Sequence, residues 1–491
     1  MKEKRIKKGY IWGLILAIGV GASLMVAALL SGVITVNDLS PATYIDSDGN
    51  HDYEKGINYI KDKDIDNAIR CLRRSAEKGN TKAMGELVSI IRNGDLNEEL
   101  IKLYVYMDRL TKKYPYAQNL MGSLLVDSFG NYNKNDKQYV QWFRKAAEQG
   151  AEAALHNLGI CYENGFGVEK NMEEAIQWYR KAADKGVAIS QTYLGDLYLN
   201  GNGVEKDENK ALHFFQQAAK QEYGEAQGRL GSCYMYGLGV KSNPQKALFW
   251  YRRAAAKGDV LAQYNLGICY GGGIGVKMDE KEAIMWFQKA ADQGFAEAQR
   301  WMGICCEQGR GVDVDLKRAA EFYQKAAEQG DTESQCKLGL FYGQGVGVER
   351  NDEMAAAWYQ KAADQGHVGA LFLLAGCYSD GRGVERNDQM AVHLFSLAAE
   401  GQHIDAQFLM GCFCMNGVGT EKDERQAFTW YLKAAEQGHA HAQFFVGSCY
   451  AKGIGVEKDL PKALEWWGKS AEQGDVEGLK AIRAYINGEI F

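Results

Sequence analysis

Gly159–Gly186 reads GICYENGFGVEKNMEEAIQWYRKAADKG, Gly267–Gly294 reads GICYGGGIGVKMDEKEAIMWFQKAADQG, and Gly447–Gly474 reads GSCYAKGIGVEKDLPKALEWWGKSAEQG. The closing glycine of this text recurs at Gly150, Gly186, Gly258, Gly294, Gly330, Gly366, Gly438 and Gly474, each time after 36 residues or a multiple of 36. Glu222 fills the column once, and Gly401 falls one position early. A fixed period of this size marks an array of repeated supersecondary units. Ten blocks of 36 residues tile 115–474.

Inside a block the apolar residues keep helical time. In the block that starts at Asp259 they are Ala262, Leu266, Cys269 and Tyr270, then Ala283, Trp286, Phe287, Ala290 and Ala291. Both sets follow the i, i+3/i+4, i+7/i+8 spacing of one helix face, and neither alternates with the period of a strand. Each block is therefore predicted to be a helical hairpin. A Gly-x-Gly-Val loop separates its helices, as in Gly165–Val168, Gly345–Val348 and Gly453–Val456. The first glycine of the loop suits a left-handed helix stop. Three residues after the Val position stands Asn or Asp in all ten blocks: Asn135, Asn171, Asp207, Asn243, Asp279, Asp315, Asn351, Asn387, Asp423 and Asp459. That column is expected to cap the second helix, and Pro244 then falls in a first helical turn.

A single hairpin leaves its apolar face exposed, and stacking buries it. The expected fold is all-α, a right-handed α-solenoid of stacked helical hairpins. Trp142, Trp178, Trp250, Trp286, Trp358, Trp430 and Trp466 share one column, with Trp467 beside it, and read as core.

The pattern A-x-A-Q-x-x-L-G-x-C-Y-x-x-G-x-G-V, then Asp or Asn, then A-x-x-W-Y-x-K-A-A-x-x-G, resembles the Sel-1-like repeat, a branch of the tetratricopeptide superfamily. Residues 259–294 carry it nearly whole, from Ala262, Gln263, Leu266, Gly267 and Tyr270 through Gly273, Gly275, Val276 and Ala283 to Trp286, Ala290, Ala291 and Gly294. The resemblance implies a scaffold that gathers proteins into complexes, with a protein or peptide partner in the solenoid groove and variable polar positions of the first helices reading it. It supplies no catalytic residue. A cysteine-rich branch of the family binds or cleaves β-lactams and pairs two cysteines within a hairpin, whereas this chain places one per hairpin, at Cys161, Cys233, Cys269, Cys305, Cys377 and Cys449. Cysteines on helices a repeat apart are too distant to bridge, and these read as small buried apolar residues.

The ends depart from the pattern. Residues 53–114 read as degenerate tetratricopeptide-like repeats, with Asp64 as a cap, and 475–491 as a capping half repeat. At the start, a basic head over 1–8 (Lys2, Lys4, Arg5, Lys7, Lys8) precedes residues 9–37, which carry no charge, and an acidic linker is expected over 38–52. An apolar run of that length is long enough to span a bilayer. Charge asymmetry places the N-terminus in the cytoplasm and the repeats outside, in the periplasm of a Gram-negative cell. The alternative is secretion after cleavage at Val26-Ala27-Ala28.

The net charge of −6 points to no nucleic acid. Chemical motifs fail individually. Gly468–Ser470 lacks the earlier glycine of a phosphate loop. Ser75–Lys78 matches S-x-x-K, without the companion motifs. Asp46–Asp52 misplaces the glycine and glutamate of a calcium loop. His367, His403 and His439 lie one repeat apart, too far to share a metal, and read as turn residues. Lys145, Lys181, Lys289, Lys325, Lys361, Lys433 and Lys469 stand three residues before Glu148, Asp184, Asp292, Glu328, Asp364, Glu436 and Glu472, and are expected to pair with them. No catalytic, cofactor or metal residue is assigned. Function is expected to be that of a membrane-anchored interaction scaffold. The alternatives are an extracytoplasmic enzyme or binder acting on cell wall or β-lactams, and a structural subunit of a membrane complex.

Overall fold

The computed structural model describes residues 47–93, 106–107, 110–111, 114–124 and 138–487, and every regular element among them is helical. These residues divide into two compact units, one up to Ala262 and one from Gln263. Each unit is a stack of helical hairpins. From Glu152 to Glu472 every helix has 13 residues, beginning with Glu152–Asn164 and Met172–Asp184 as the first and second helices of a block. Val476–Ile486 closes the array as a lone first helix. Among the described residues no helix is long and apolar enough to cross a membrane. The anchor expected over 9–37 and the basic head 1–8 lie outside the described residues, as does Asn135.

The chain's first described helix, Ser47–Lys61, starts inside the stretch read as an acidic linker. Asp52 on it meets Arg74 at 3.4 Å and Lys78 at 3.1 Å, so it clamps the hairpin formed with Ile65–Glu77. Asp64 caps that second helix through the Asn67 N–H.

The cap column behaves as its chemistry requires. Asn171 accepts from the Glu174 N–H at 3.0 Å, Asp279 from Lys281 and Glu282, and Asp459 from Lys462. The same bond forms at Asp207, Asn243, Asp315, Asn351, Asn387 and Asp423. The loop glycines do more than stop a helix. Gly309 ends its helix in the left-handed region at φ 70°. Gly311, the second glycine of that loop, lies at φ 69°, and a Cβ there would fall 2.7 Å from the Glu280 carbonyl oxygen in the preceding block. The loop of one hairpin thus rests directly on the N-terminus of its neighbour's second helix.

Small-against-large packing joins the two helices of each block. A Cβ on Gly303 would lie 2.7 Å from the Tyr323 ring, which is fully buried. From Gly159 on, one block has Ala375 where the others have glycine, and the large partner is tyrosine or phenylalanine except at Trp467.

A buried glutamine ties neighbouring blocks. Gln299 donates from Nε2 to the Ala291 carbonyl at the end of the preceding second helix, 3.2 Å, and its Oε1 accepts from Gln329 Nε2, 2.7 Å. Gln335 repeats the arrangement with Ala327 and Gln365, Gln407 with Ala399 and Gln437, and Gln443 with Ala435 and Gln473. A helix C-terminus carries carbonyls with no partner inside the helix; Ala291 O takes the closing-turn Gly294 N–H, and the glutamine adds a second donor from the next block. Gln227 has Lys257 thirty residues on instead of glutamine. Lys257 turns to Glu222, and among the described residues Gln227 Oε1 has no partner.

Three expectations are corrected. The lysine column does not pair with the acids three residues on. Lys181, Lys289, Lys361, Lys433 and Lys469 lie over the Trp178, Trp286, Trp358, Trp430 and Trp466 rings at 3.7–4.2 Å from the centroid. The face of an indole attracts an ammonium group, and a lysine three residues along the helix is placed above it. The tryptophan column is accordingly only partly core: Trp358 and Trp430 are buried, Trp178, Trp250, Trp286 and Trp466 half-buried, and Trp467 belongs to the core proper. The histidines are not idle turn residues. His367, His403 and His439 cap first helices, each Nδ1 accepting from the N–H of Ala370, Ala406 or Ala442. All eleven cysteines are free, and the six of the repeated column are buried. Burial pushes the thiols of Cys161 and Cys233 up to about 12 and that of Cys269 to about 11.

Candidate interaction face

Positions 3, 6, 7, 10 and 14 of a block form one stripe along the first helix. Side chains on this stripe reach sideways to the next first helix. They are also where the blocks differ most.

In the unit up to Ala262 the stripe is polar, as expected. Asp196 pairs with Arg229 at 3.0 Å, and Glu225 stands on the far side of the same guanidinium at 3.6 Å. Burial pushes the Asp196 carboxyl up to about 6, against the pull of Arg229, and burial also raises Asp259. Glu163 accepts from Tyr179 at 2.7 Å and from Tyr193. His156 Nδ1 and Ser190 Oγ lie 3.0 Å apart, the arrangement closest to a nucleophile–base pair. Ser190 is fully buried, and burial lowers His156 to about 4, too weak a base for work near neutrality. A cleft of about 1110 Å³ runs along the closing turns of this unit, from Gly79 to Asp259. The first helices beginning at Glu152, Ala188 and Gly224 open onto it without a side-chain cap.

From Gln263 on, the stripe changes character. The expectation of polar reading positions fails at the sixth, seventh and tenth positions, most of which are apolar, with a half-buried run of Leu340, Phe372 and Leu373, then Phe408 and Leu409, then Phe444 and Phe445; the third and fourteenth stay mostly polar. Phe408 and Phe445 touch across neighbouring first helices with centroids 5.7 Å apart. The capping histidines lie on these rings, His403 stacked on Phe372 at 4.2 Å and His439 on Phe408 at 4.7 Å. The periodicity within a single block locates the stripe. Its change to an apolar surface becomes visible only when the sixth and seventh positions of successive blocks are compared.

Groups of three or more His, Cys, Asp or Glu side chains that could hold a metal do not occur among the described residues.

The family model described as Sel1 repeat matches at residues 49–80, 115–150, 152–187, 188–223, 224–259, 260–295, 296–331, 332–367, 368–403, 404–439 and 440–475. No curated protein matches the chain. Among solved structures it is similar to a protective antigen present in uropathogenic Escherichia coli strains, described as displaying an SLR fold. That match has 33% identity over 86% of this chain and 91% of the antigen, with a TM-score of 0.64. It is also similar to a Sel1 repeat protein from Oxalobacter formigenes, at 33% identity over 63% of this chain and 90% of that one, with a TM-score of 0.50. Eleven matched repeats, stacked as hairpins in both units, make this chain a member of the Sel1-repeat family.

Proposed function

We propose that the protein is a non-enzymatic scaffold that holds a segment of another protein against the stripe of its first helices. The observation that carries this reading is the division of labour within each block. Caps, glycines, glutamines and aromatic residues repeat, while the stripe varies from block to block. The arrangement nearest to a nucleophile–base pair, His156 with Ser190, is buried, and the exposed His441 meets Asp475, which is itself the cap of the last helix. The array is read as right-handed. It is tethered through residues 9–37, with the head 1–8 in the cytoplasm and the repeats outside. The similarity to a protein described as a protective antigen is in keeping with an exposed location.

Cross-linking of the full-length protein in its native cell tests the scaffold reading. A defined protein partner is expected to cross-link to stripe residues, and its absence from repeated trials would refute the reading. A reporter fused after Phe491 tests topology, since activity of one that works only in the cytoplasm would overturn it.

A further inference from the structure

The residues from Gln263 to Phe491 include 32 acidic and 22 basic ones, a net charge of −10 against −6 for the whole chain. The acids reach the stripe itself. Its third position is Glu297, Glu333 and Asp405 in three of the blocks and Glu477 in the closing half repeat; Asp405 stands one helical turn from Phe408 and Leu409, and Glu297 one turn from Trp301. The Glu333 and Asp405 side chains are 50% and 62% exposed. Three cations on the stripe are already engaged: Arg300 pairs with Asp331 at 2.9 Å, Lys337 with Glu307 at 3.3 Å, and Lys480 with Glu477 at 2.7 Å, which leaves Glu297, Glu333 and Asp405 as the acids of the rim.

The apolar strip also has a socket. Gly271 and Gly272 are adjacent glycines where other blocks carry at least one longer side chain, and they leave a pocket of about 190 Å³ between Ile268, Ile274, Phe287 and Trp301. Its floor is Ala283. The ion pair of Arg310 with Glu280, 3.4 Å, lies at its edge. Trp301 stacks on Phe287 with centroids 5.7 Å apart and is held as a wall. A space of this size, lined almost wholly by carbon, fits one apolar side chain.

We infer that this face grips a protein segment in which basic residues accompany apolar ones, with one apolar side chain seated in the socket beside Trp301 and the basic groups against the acidic third positions. The inference rests on the scaffold reading and adds the chemistry of the partner. Charge decides among occupants. An acidic rim repels lipid phosphates and nucleic acid and attracts a cationic peptide, and the apolar strip supplies the area that a purely charged segment would leave exposed.

The test is a library of random short peptides displayed on phage, panned on the full-length protein, with each selected peptide then synthesised and titrated. Two variants locate binding without removing a packing contact. Gly271→Leu fills the socket, and a Cβ there meets only Ala283 Cβ at 3.6 Å. Glu297→Lys combined with Asp405→Lys reverses the rim. Selected peptides are expected to be rich in Lys or Arg beside Leu, Phe or Trp. Losing the burial of one apolar side chain should weaken binding by about tenfold or more in Gly271→Leu. The rim variant should weaken it and flatten its salt dependence. Far-ultraviolet circular dichroism is expected to match the parent for both, with melting lowered only slightly in the rim variant, where Asp405→Lys gives up the 3.5 Å contact with His439. Selection of acidic or neutral peptides, or binding indifferent to both variants, overturns the inference and leaves the scaffold reading standing. Selection of no peptide also overturns it, and the scaffold reading then depends on cross-linking alone.

Discussion

Gln402 lies at φ 68°, in the left-handed region that glycine occupies at the closing position of eight other blocks. A side chain there costs about 1–2 kcal/mol. Gln402→Gly should therefore stabilise the protein, by up to about 1 kcal/mol once the added freedom of the unfolded chain is subtracted. A melting temperature that falls would show that the displaced Gly401 has reshaped this turn. Glu222 is the other exception, at φ 63°, but its carboxylate holds Arg253 at 2.9 Å and Lys257 at 3.0 Å, which offsets the strain. The glutamine ladder makes a second prediction at this scale. Gln299→Leu strips a partner from both Ala291 O and Gln329 Nε2, at a cost of about 1–3 kcal/mol. Adding Gln329→Ala should cost less than the sum of the two single changes, because each removes the same bond. Strict additivity in urea titrations would refute the coupling. The chain contains its own precedent, since the block with Leu371 in the first position of the pair has Gly401 in the second. The caps were legible in the sequence because each acts within three residues of itself. The ladder was not, because its paired glutamines stand thirty residues apart at opposite ends of a block and its carbonyl lies in the block before, and a conspicuous Gln column says nothing of where its amides point.

At the scale of the helix, the caps at His403 and His439 differ from the Asp and Asn caps in being able to titrate. Each accepts the N–H of the third residue on through Nδ1, which requires a neutral ring. Burial lowers both below the ordinary histidine range, against the opposing pull of Asp405. When the folded group holds its proton less tightly than the unfolded one, the unfolded state takes up more protons as pH falls. The contribution of these caps is therefore complete above about pH 6.5, the ordinary histidine value, and is lost as pH drops through that value toward the lower folded ones. Replacing both residues by asparagine keeps an acceptor at each cap and removes the titration. The parent should lose more melting temperature than this double variant between neutral pH and mildly acidic pH. Parallel loss in both would mean that the caps do not feel pH. The histidine column is thus more than turn filler, which spacing alone did not reveal. A column of residues at block starts fits a loop reading as well as a capping one until the Nδ1 contacts are known. The lysine column departs from its expected pairing for a related reason. An i+3 acid and an i−3 tryptophan are both within reach of a lysine on a helix, and the local spacing does not choose between them.

At the scale of the whole molecule, the contacts that join blocks have a short reach. The second loop glycine rests on the preceding block, the glutamine ladder links a block to the next, and aromatic contacts such as Phe287 on Trp301 and Tyr323 on Phe341 also reach only the adjacent block. Stability in such an array is a sum of repeat terms and nearest-neighbour terms, so damage should spread only as far as those contacts do. Gly311→Val puts this to a strong test within the unit from Gln263. The position requires φ 69°, which a β-branched residue resists, and its Cβ would fall on the Glu280 carbonyl oxygen. The loop must lift from its neighbour, and the second helix Glu280–Asp292 loses the contact that covers its N-terminus. Amide hydrogen exchange on the full-length protein should then show lost protection in Glu280–Asp292, Ala296–Gln308 and Leu316–Glu328, with Glu424–Glu436 and Leu460–Glu472 protected as in the parent. Uniform loss across the unit would show instead that its blocks unfold as one. Local loss would explain how the stripe of first helices can vary freely from block to block, since a substitution tuned to a partner at one block leaves the packing of distant blocks undisturbed.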